Sequence, residues 1–144
     1  MIRSSLRLQK KEKVRSGIQR APRRDYEKHR KFVRRFVCEG CGTSNNIQCA
    51  HLRLMTGGGE QLKPVDAWSY AACYQCHIID QHNIGEPEWW RRIGKDAWKT
   101  CLKYALESPV DEVRQYARDV MIPLIDRFAE YDARIAALAI QEAA

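Results

Sequence analysis

The chain has 144 residues, 44% of them hydrophobic, and a net charge of +7, which is enough for one domain with a modest core. No apolar run is long enough to span a membrane, and the start Met1-Ile2-Arg3-Ser4-Ser5 lacks the apolar stretch of a secretory signal. The expectation is a soluble protein of a reducing compartment, whose six cysteines are metal ligands or buried thiols rather than disulfides. The charge is uneven. Residues 1–35 hold fourteen Lys or Arg and three Asp or Glu, net +11, so residues 36–144 sum to −4 (7 − 11). A basic arm beside a slightly acidic body points to a polyanion partner, and nucleic acid suits it better than a membrane, because the arm has no apolar face with Trp or Phe anchors.

In chain order, residues 1–21 read as a flexible basic arm in which apolar residues are sparse. A short helix is expected from Pro22, with Tyr26, Phe32, Val33 and Phe36 on its apolar side. Its other side carries Arg23, Arg24, Lys28, Arg30, Lys31, Arg34 and Arg35. Arg23, Arg24, Arg34 and Arg35 are the candidates for phosphate contacts. His29 has no cysteine or carboxylate pattern around it and is expected at the surface. Cys38-Glu39-Gly40-Cys41-Gly42 reads as a zinc knuckle, in which glycines allow the tight turn that aims backbone N–H groups at thiolate sulfur.

A turn at Thr43-Ser44-Asn45-Asn46 then leads into a short strand, Ile47 to Leu52. Residues 53–65 form a loop with three glycines and Pro64. A second strand, Trp68 to Ala72, ends at Cys73. A helix should begin near Cys76 and run toward Asn83, where Gly85 and Pro87 stop it. Cys38, Cys41, Cys73 and Cys76 form two Cys-x-x-Cys pairs and suggest a four-thiolate zinc site. Four thiolates leave no open position for water, so this zinc would be structural. Cys49 and Cys101 are left over as small buried residues.

The remainder reads as helical. Pro87 opens a short helix through Trp89, Trp90 and Ile93, and a second runs within Lys95 to Glu107. The four tryptophans are expected to fill a hydrophobic centre. Ser108-Pro109 reads as a helix start, with Ser as N-cap and Pro at the first helical position. Val113, Ala117, Val120, Leu124, Phe128, Tyr131, Ile135 and Leu138 then recur at threes and fours, with a kink expected at Pro123. This stripe either packs back on the core or pairs with a second chain as a homodimer. The domain reading is an arm over residues 1–21, a core with flanking helices over 22–106 and a helical extension over 107–144.

The order knuckle, strand, glycine loop, strand, helix resembles the HNH group of His-Me finger nucleases. The match covers roughly Cys38 to Trp90 and rests on the thiolate pairs, Ala50-His51-Leu52-Arg53, Gly57-Gly58-Gly59, Lys63-Pro64-Val65-Asp66 and Gln81-His82-Asn83-Ile84-Gly85-Glu86. It looks most like the small phage and prophage members associated with recombination. The resemblance implies an α+β fold with a zinc-stabilised ββα-metal core surrounded by helices. It implies a metal-dependent DNA endonuclease in the cytoplasm of a bacterial host cell. His51 would be the general base. His77 would be first among the ligands of a catalytic divalent cation, magnesium or manganese, joined by His82 or by Asp80. Arg53 and Lys63 would contact DNA.

The sequence departs from the family at three points. Ala50 stands where many members have a metal-binding Asp or His. Trp68 stands near the position of the Asn that normally pins the loop carrying the base; either Asp66 does the pinning instead, or Trp68 packs there and the pinning comes from elsewhere. His77 and His82 are five apart, which on a regular helix is about 140° around the axis. Two readings without catalysis stand beside the nuclease: a zinc-stabilised nucleic-acid-binding module, and a zinc-built protein-interaction domain working through its C-terminal helix.

Overall fold

The structure is a computed structural model and describes residues 26–53 and 65–143. The basic arm, Pro22, Arg23, Arg24, the glycine loop and Lys63 lie outside the described residues.

Helix α1 (Tyr26–Val33) is short and strongly basic, and it is held by burying His29 and Val33. After the knuckle, β1 (Ile47–His51) pairs antiparallel with β2 (Ser69–Cys73). The register sets Ile47 opposite Cys73 and His51 opposite Ser69. β2 is buried along its whole length, which its small residues Ser69, Ala71, Ala72 and Cys73 permit. Helix α1 packs on both strands.

Beyond Cys73 the chain turns at once into a π-helical segment, π1 (Gln75–Asp80), which continues as α2 (Gln81–Ile84). Gly85 ends it at φ 83°, a conformation that favours glycine. Pro87 falls in the first turn of α3 (Glu86–Ile93), where its missing N–H costs nothing. Gly94 in the left-handed region closes α3. Asp96 caps α4 (Ala97–Leu106) by accepting a hydrogen bond from the Lys99 N–H at 3.0 Å. Helix α4 packs on β2.

The core is aromatic. Trp68, Tyr70, Trp89 and Trp90 are buried, and Trp98 packs against them half-buried. Tyr70 and Trp89 both lie against Trp90, at centroid distances of 4.7 and 5.0 Å, and Trp68 meets Trp98 edge-on at 5.5 Å. The Trp68 indole N–H donates to the Tyr116 hydroxyl at 3.1 Å. Cys101 is fully buried as expected, and Cys49 is only half-buried.

Two expectations are corrected. His29 is fully buried rather than at the surface. It faces hydroxyls from two distant segments, with Nδ1 2.9 Å from Ser108 Oγ and Nε2 3.3 Å from Ser69 Oγ. Ser108 is not an N-cap. Its Oγ accepts from the Val110 N–H at 3.2 Å in a local turn, and α5 (Asp111–Tyr116) starts after Val110. The hydroxyl that would have capped the helix is committed to His29 and this turn.

A second π-helical segment, π2 (Ala117–Met121), precedes α6 (Ile122–Ala143). It lies just ahead of Pro123, whose missing N–H breaks the regular bonding pattern there. The apolar stripe divides. Val113 and Ala117 are buried as expected, but across π2 the buried face shifts by one residue, so Met121 and Ile125 are buried in place of Val120, which is exposed, and Leu124, which is half-buried; every residue from Asp126 to Ala143 is exposed. No helix among the described residues is long and apolar enough to cross a membrane.

Candidate metal centre and active site

The knuckle is built by short-range bonds. Cys38 N–H donates to Thr43 O and Gly42 N–H to Cys38 O, both at 2.9 Å. The Gly40 and Cys76 N–H groups point at sulfur, toward Cys38 Sγ at 3.3 Å and Cys73 Sγ at 3.4 Å. Glu39 N–H donates to Ala71 O at 3.0 Å, which ties the knuckle to β2. Gly40 has no room for a side chain: an added Cβ would lie 2.7 Å from the Trp89 ring and 2.9 Å from Cys76 Sγ.

The result is a cluster in which the sulfurs of Cys38, Cys41, Cys73 and Cys76 all lie within 4.8 Å of one another. Tetrahedral zinc with bonds of ~2.3 Å needs sulfurs about 3.8 Å apart, and Cys41 and Cys73 already sit at 3.6 Å. These four residues can hold a metal ion such as zinc. Burial works against ionising Cys38, but the backbone N–H donors around it outweigh that and bring its pKa down to about 7. Burial pushes the Cys76 thiol up.

The second cluster lies on the strand side. His51 ends β1, and its Nε2 is 2.7 Å from Asp66 Oδ1. Asp66 Oδ2 accepts from Arg30 of α1 at 2.5 Å. Burial would raise the Asp66 pKa, yet the His51 hydrogen bond and the Arg30 charge together hold it below the usual carboxylate value. An ionised carboxylate only accepts, so His51 Nε2 carries the proton and Nδ1 is left as the basic nitrogen. The Asp66 main chain is fixed as well, its carbonyl accepting from Ser69 Oγ at 2.6 Å. Trp68 is a core residue, and Asp66 makes the contact to His51.

The third group lines a pocket of about 430 Å³ formed by Arg53, His77, Ile78, Gln81, His82, Gly85, Glu86 and Pro87. The π-helical turn accounts for its two histidines. Its bonds run from residue i to i+5, as from the Gln81 N–H back to Cys76 O, so residues five apart come one above the other. His77 and His82 thereby reach one pocket, which a regular helix would not allow. His77 Nδ1 is 2.7 Å from Gln48 Oε1 of β1. That carbonyl oxygen accepts, so Nδ1 donates and Nε2 keeps its lone pair. Burial, with the Arg53 and His51 charges, lowers the His77 pKa and favours that neutral form.

Glu86 ends the Gln81-to-Glu86 stretch that carries part of the resemblance, but no role is read for it from the sequence. One carboxylate oxygen accepts from the Arg53 N–H at 3.2 Å, and the other is buried without a well-formed hydrogen bond. Burial raises its pKa, while Arg53 and the nearby Trp90 indole act in the opposite direction. Its place in that motif and in a Gly-Glu-Pro helix start are the sequence signals for it, and the second speaks for a helix terminus before a site. Asp80 lies outside the pocket lining, and its Oδ1 accepts from Gln75 Nε2 at 3.0 Å. Arg53, Arg34 and Arg35 are exposed.

Among the described residues, the four cysteines are the only set of three or more ligand atoms drawn close enough to share one ion. His77, His82 and Glu86 surround the pocket without converging. Magnesium and manganese are compatible with such an open set, since magnesium keeps several waters and takes only one or two protein ligands plus substrate phosphate. No family model, curated protein or solved structure matches the chain.

Proposed function

We propose that the protein is a metal-dependent DNA endonuclease with a His-Me finger core, of the phage and prophage kind linked to DNA processing. The observation that carries this reading is the Arg30–Asp66–His51 chain beside the pocket of His77 and His82. The strand–strand–helix order and the four-cysteine cluster support it.

His51 acts as general base. A water oxygen attacks the scissile phosphorus, its proton passes to His51 Nδ1, and the bond to the leaving 3′-oxygen breaks. Asp66 fixes the tautomer that makes Nδ1 basic and stabilises the imidazolium that forms. His77 and His82 would hold the divalent cation, with Glu86 beside them, and Gln48 orients His77. The cation would bind the scissile phosphate and stabilise the leaving oxygen. Arg53 at the pocket and the basic residues Arg34 and Arg35 would neutralise phosphates, as would Arg23, Arg24 and Lys63.

Plasmid nicking with magnesium or manganese, and with EDTA as control, tests the reading. Wild-type protein should nick in a metal-dependent way. His51→Ala should keep fold, zinc and DNA binding while losing ~10²–10⁴-fold in rate, the usual worth of a general base. If His51→Ala cuts as fast as wild type, or if wild type only binds DNA, the zinc-stabilised binding module takes the place of the nuclease.

A further inference from the structure

The outer part of α6 is an apolar seam that the body of the protein does not cover. The seam residues Phe128, Tyr131, Ile135 and Leu138 are spaced three, four and three, which is a heptad pattern. Their exposures are 38, 63, 48 and 55%. The seam is continuous with the core, because Leu124 one step earlier is half-buried and Phe128 rests on Trp98 at 4.9 Å. Alanines Ala129, Ala133, Ala136, Ala137 and Ala139 occupy much of the rest of the helix surface. They allow a second helix to approach closely.

The charges beside the seam specify the occupant. With Phe128 and Ile135 as first and Tyr131 and Leu138 as fourth heptad positions, Arg127 and Asp132 flank the seam on opposite sides. In a parallel pair of identical helices, each such residue faces the one five positions later on its partner. Arg127 then meets Asp132 of the other copy, and symmetry makes the contact twice. An antiparallel pair centred between Tyr131 and Ile135 would instead oppose Asp132 to Asp132 and Arg134 to Arg134, which repel.

We infer that α6 is a parallel, in-register homodimerisation helix, and that its exposed seam is covered by the same helix of a second copy. The seam from Phe128 to Leu138 spans only about one and a half heptads, so the dimer is reversible and concentration-dependent. The inference does not depend on the nuclease reading.

Sedimentation equilibrium of the full chain over a wide concentration range provides the test. Wild type should pass from monomer to dimer, and Ile135→Lys should stay monomeric with unchanged zinc content and circular dichroism of the core. Arg127→Glu should weaken the dimer a few-fold, and adding Asp132→Arg should restore it. Leu138→Cys should form an intermolecular disulfide under mild oxidation that wild type does not form, because a parallel register sets residue 138 opposite itself. A wild type that stays monomeric throughout overturns the inference, as does a dimer indifferent to Ile135→Lys. A dimer that ignores the charge exchange and leaves Leu138→Cys uncrosslinked overturns the parallel arrangement.

Discussion

His29 fills a place in the core that an apolar side chain would ordinarily take. It can do so because its two ring nitrogens meet hydroxyls of complementary role. Ser69 Oγ donates to the Asp66 carbonyl, so it accepts from His29 Nε2–H, and Ser108 is left to donate to Nδ1. A neutral ring satisfies both contacts, whereas a protonated ring has no acceptor site for Ser108. Burial lowers the His29 pKa to about 4 from the ordinary 6.5. With the folded value below the unfolded one, the contribution is complete above pH 6.5 and is lost as pH falls toward 4. At the acid end of this window the loss is roughly 2–3 kcal/mol. His29→Gln should therefore flatten the fall in stability between these pH values, measured by urea unfolding beside wild type. Parallel pH curves for the two proteins would show that His29 does not titrate this way.

In the proposed mechanism Arg30 and Asp66 are positioning residues acting through His51, by way of the Asp66 contacts to both. Asp66→Asn should lower kcat less than His51→Ala does, with KM little changed. Arg30→Ala should lower kcat less again, and Arg30→Lys should recover part of the loss. A loss of folded protein with kcat per folded molecule unchanged would show that Arg30 has no positioning role.

Among the elements, the π-helical turn between Gln75 and Asp80 has the clearest consequence. One residue more than a regular helix would need is looped into the turn, and His77 and His82 share a pocket as a result. The alternative solution to the same problem is an ordinary helix with the two histidines four apart. Deleting Ile79, which is exposed and outside the pocket lining, creates that spacing. The deletion should keep metal-dependent nicking, while inserting Ala after Ile79 should abolish it by turning His82 away. Equal activity in both variants would mean that His82 takes no part.

On the scale of the molecule, the four-cysteine cluster joins the knuckle to the junction of β2 and π1, beside the Glu39–Ala71 backbone bond. The knuckle before β1, the end of β2 and the start of π1 meet there, and among the described residues the sheet has two strands. A two-stranded sheet is marginal by itself, so a metal held by the four cysteines would contribute directly to folding free energy. The purified protein should carry about one zinc per chain. Cys41→Ser should lower zinc content and the melting temperature together, as read by metal analysis and calorimetry, although the Cys41 side chain is exposed and packs little. Wild-type zinc content in that variant would exclude the four-thiolate site.

Much of this arrangement follows from local chemistry and was legible in the sequence. Paired Cys-x-x-Cys steps announce a metal cluster because ligand spacing is a property of the turn itself. The strands around Ala50 and Ala71, the helix stop at Gly85 and the tryptophan core rest on neighbours in the chain or on hydrophobicity alone. The tertiary structure decided what depends on residues far apart. His29 is buried because Ser69 and Ser108, 40 and 79 positions away, supply its partners, and the same commitment moved the helix start past Ser108. Asp66 meets both His51 and Arg30 because β1, β2 and α1 converge. Glu86 lines the pocket only once π1 has brought the two histidines round. The division of the C-terminal stripe at Ile125 was also beyond the pattern, because apolar periodicity defines a face and the surrounding fold determines how much of that face finds a core to cover it.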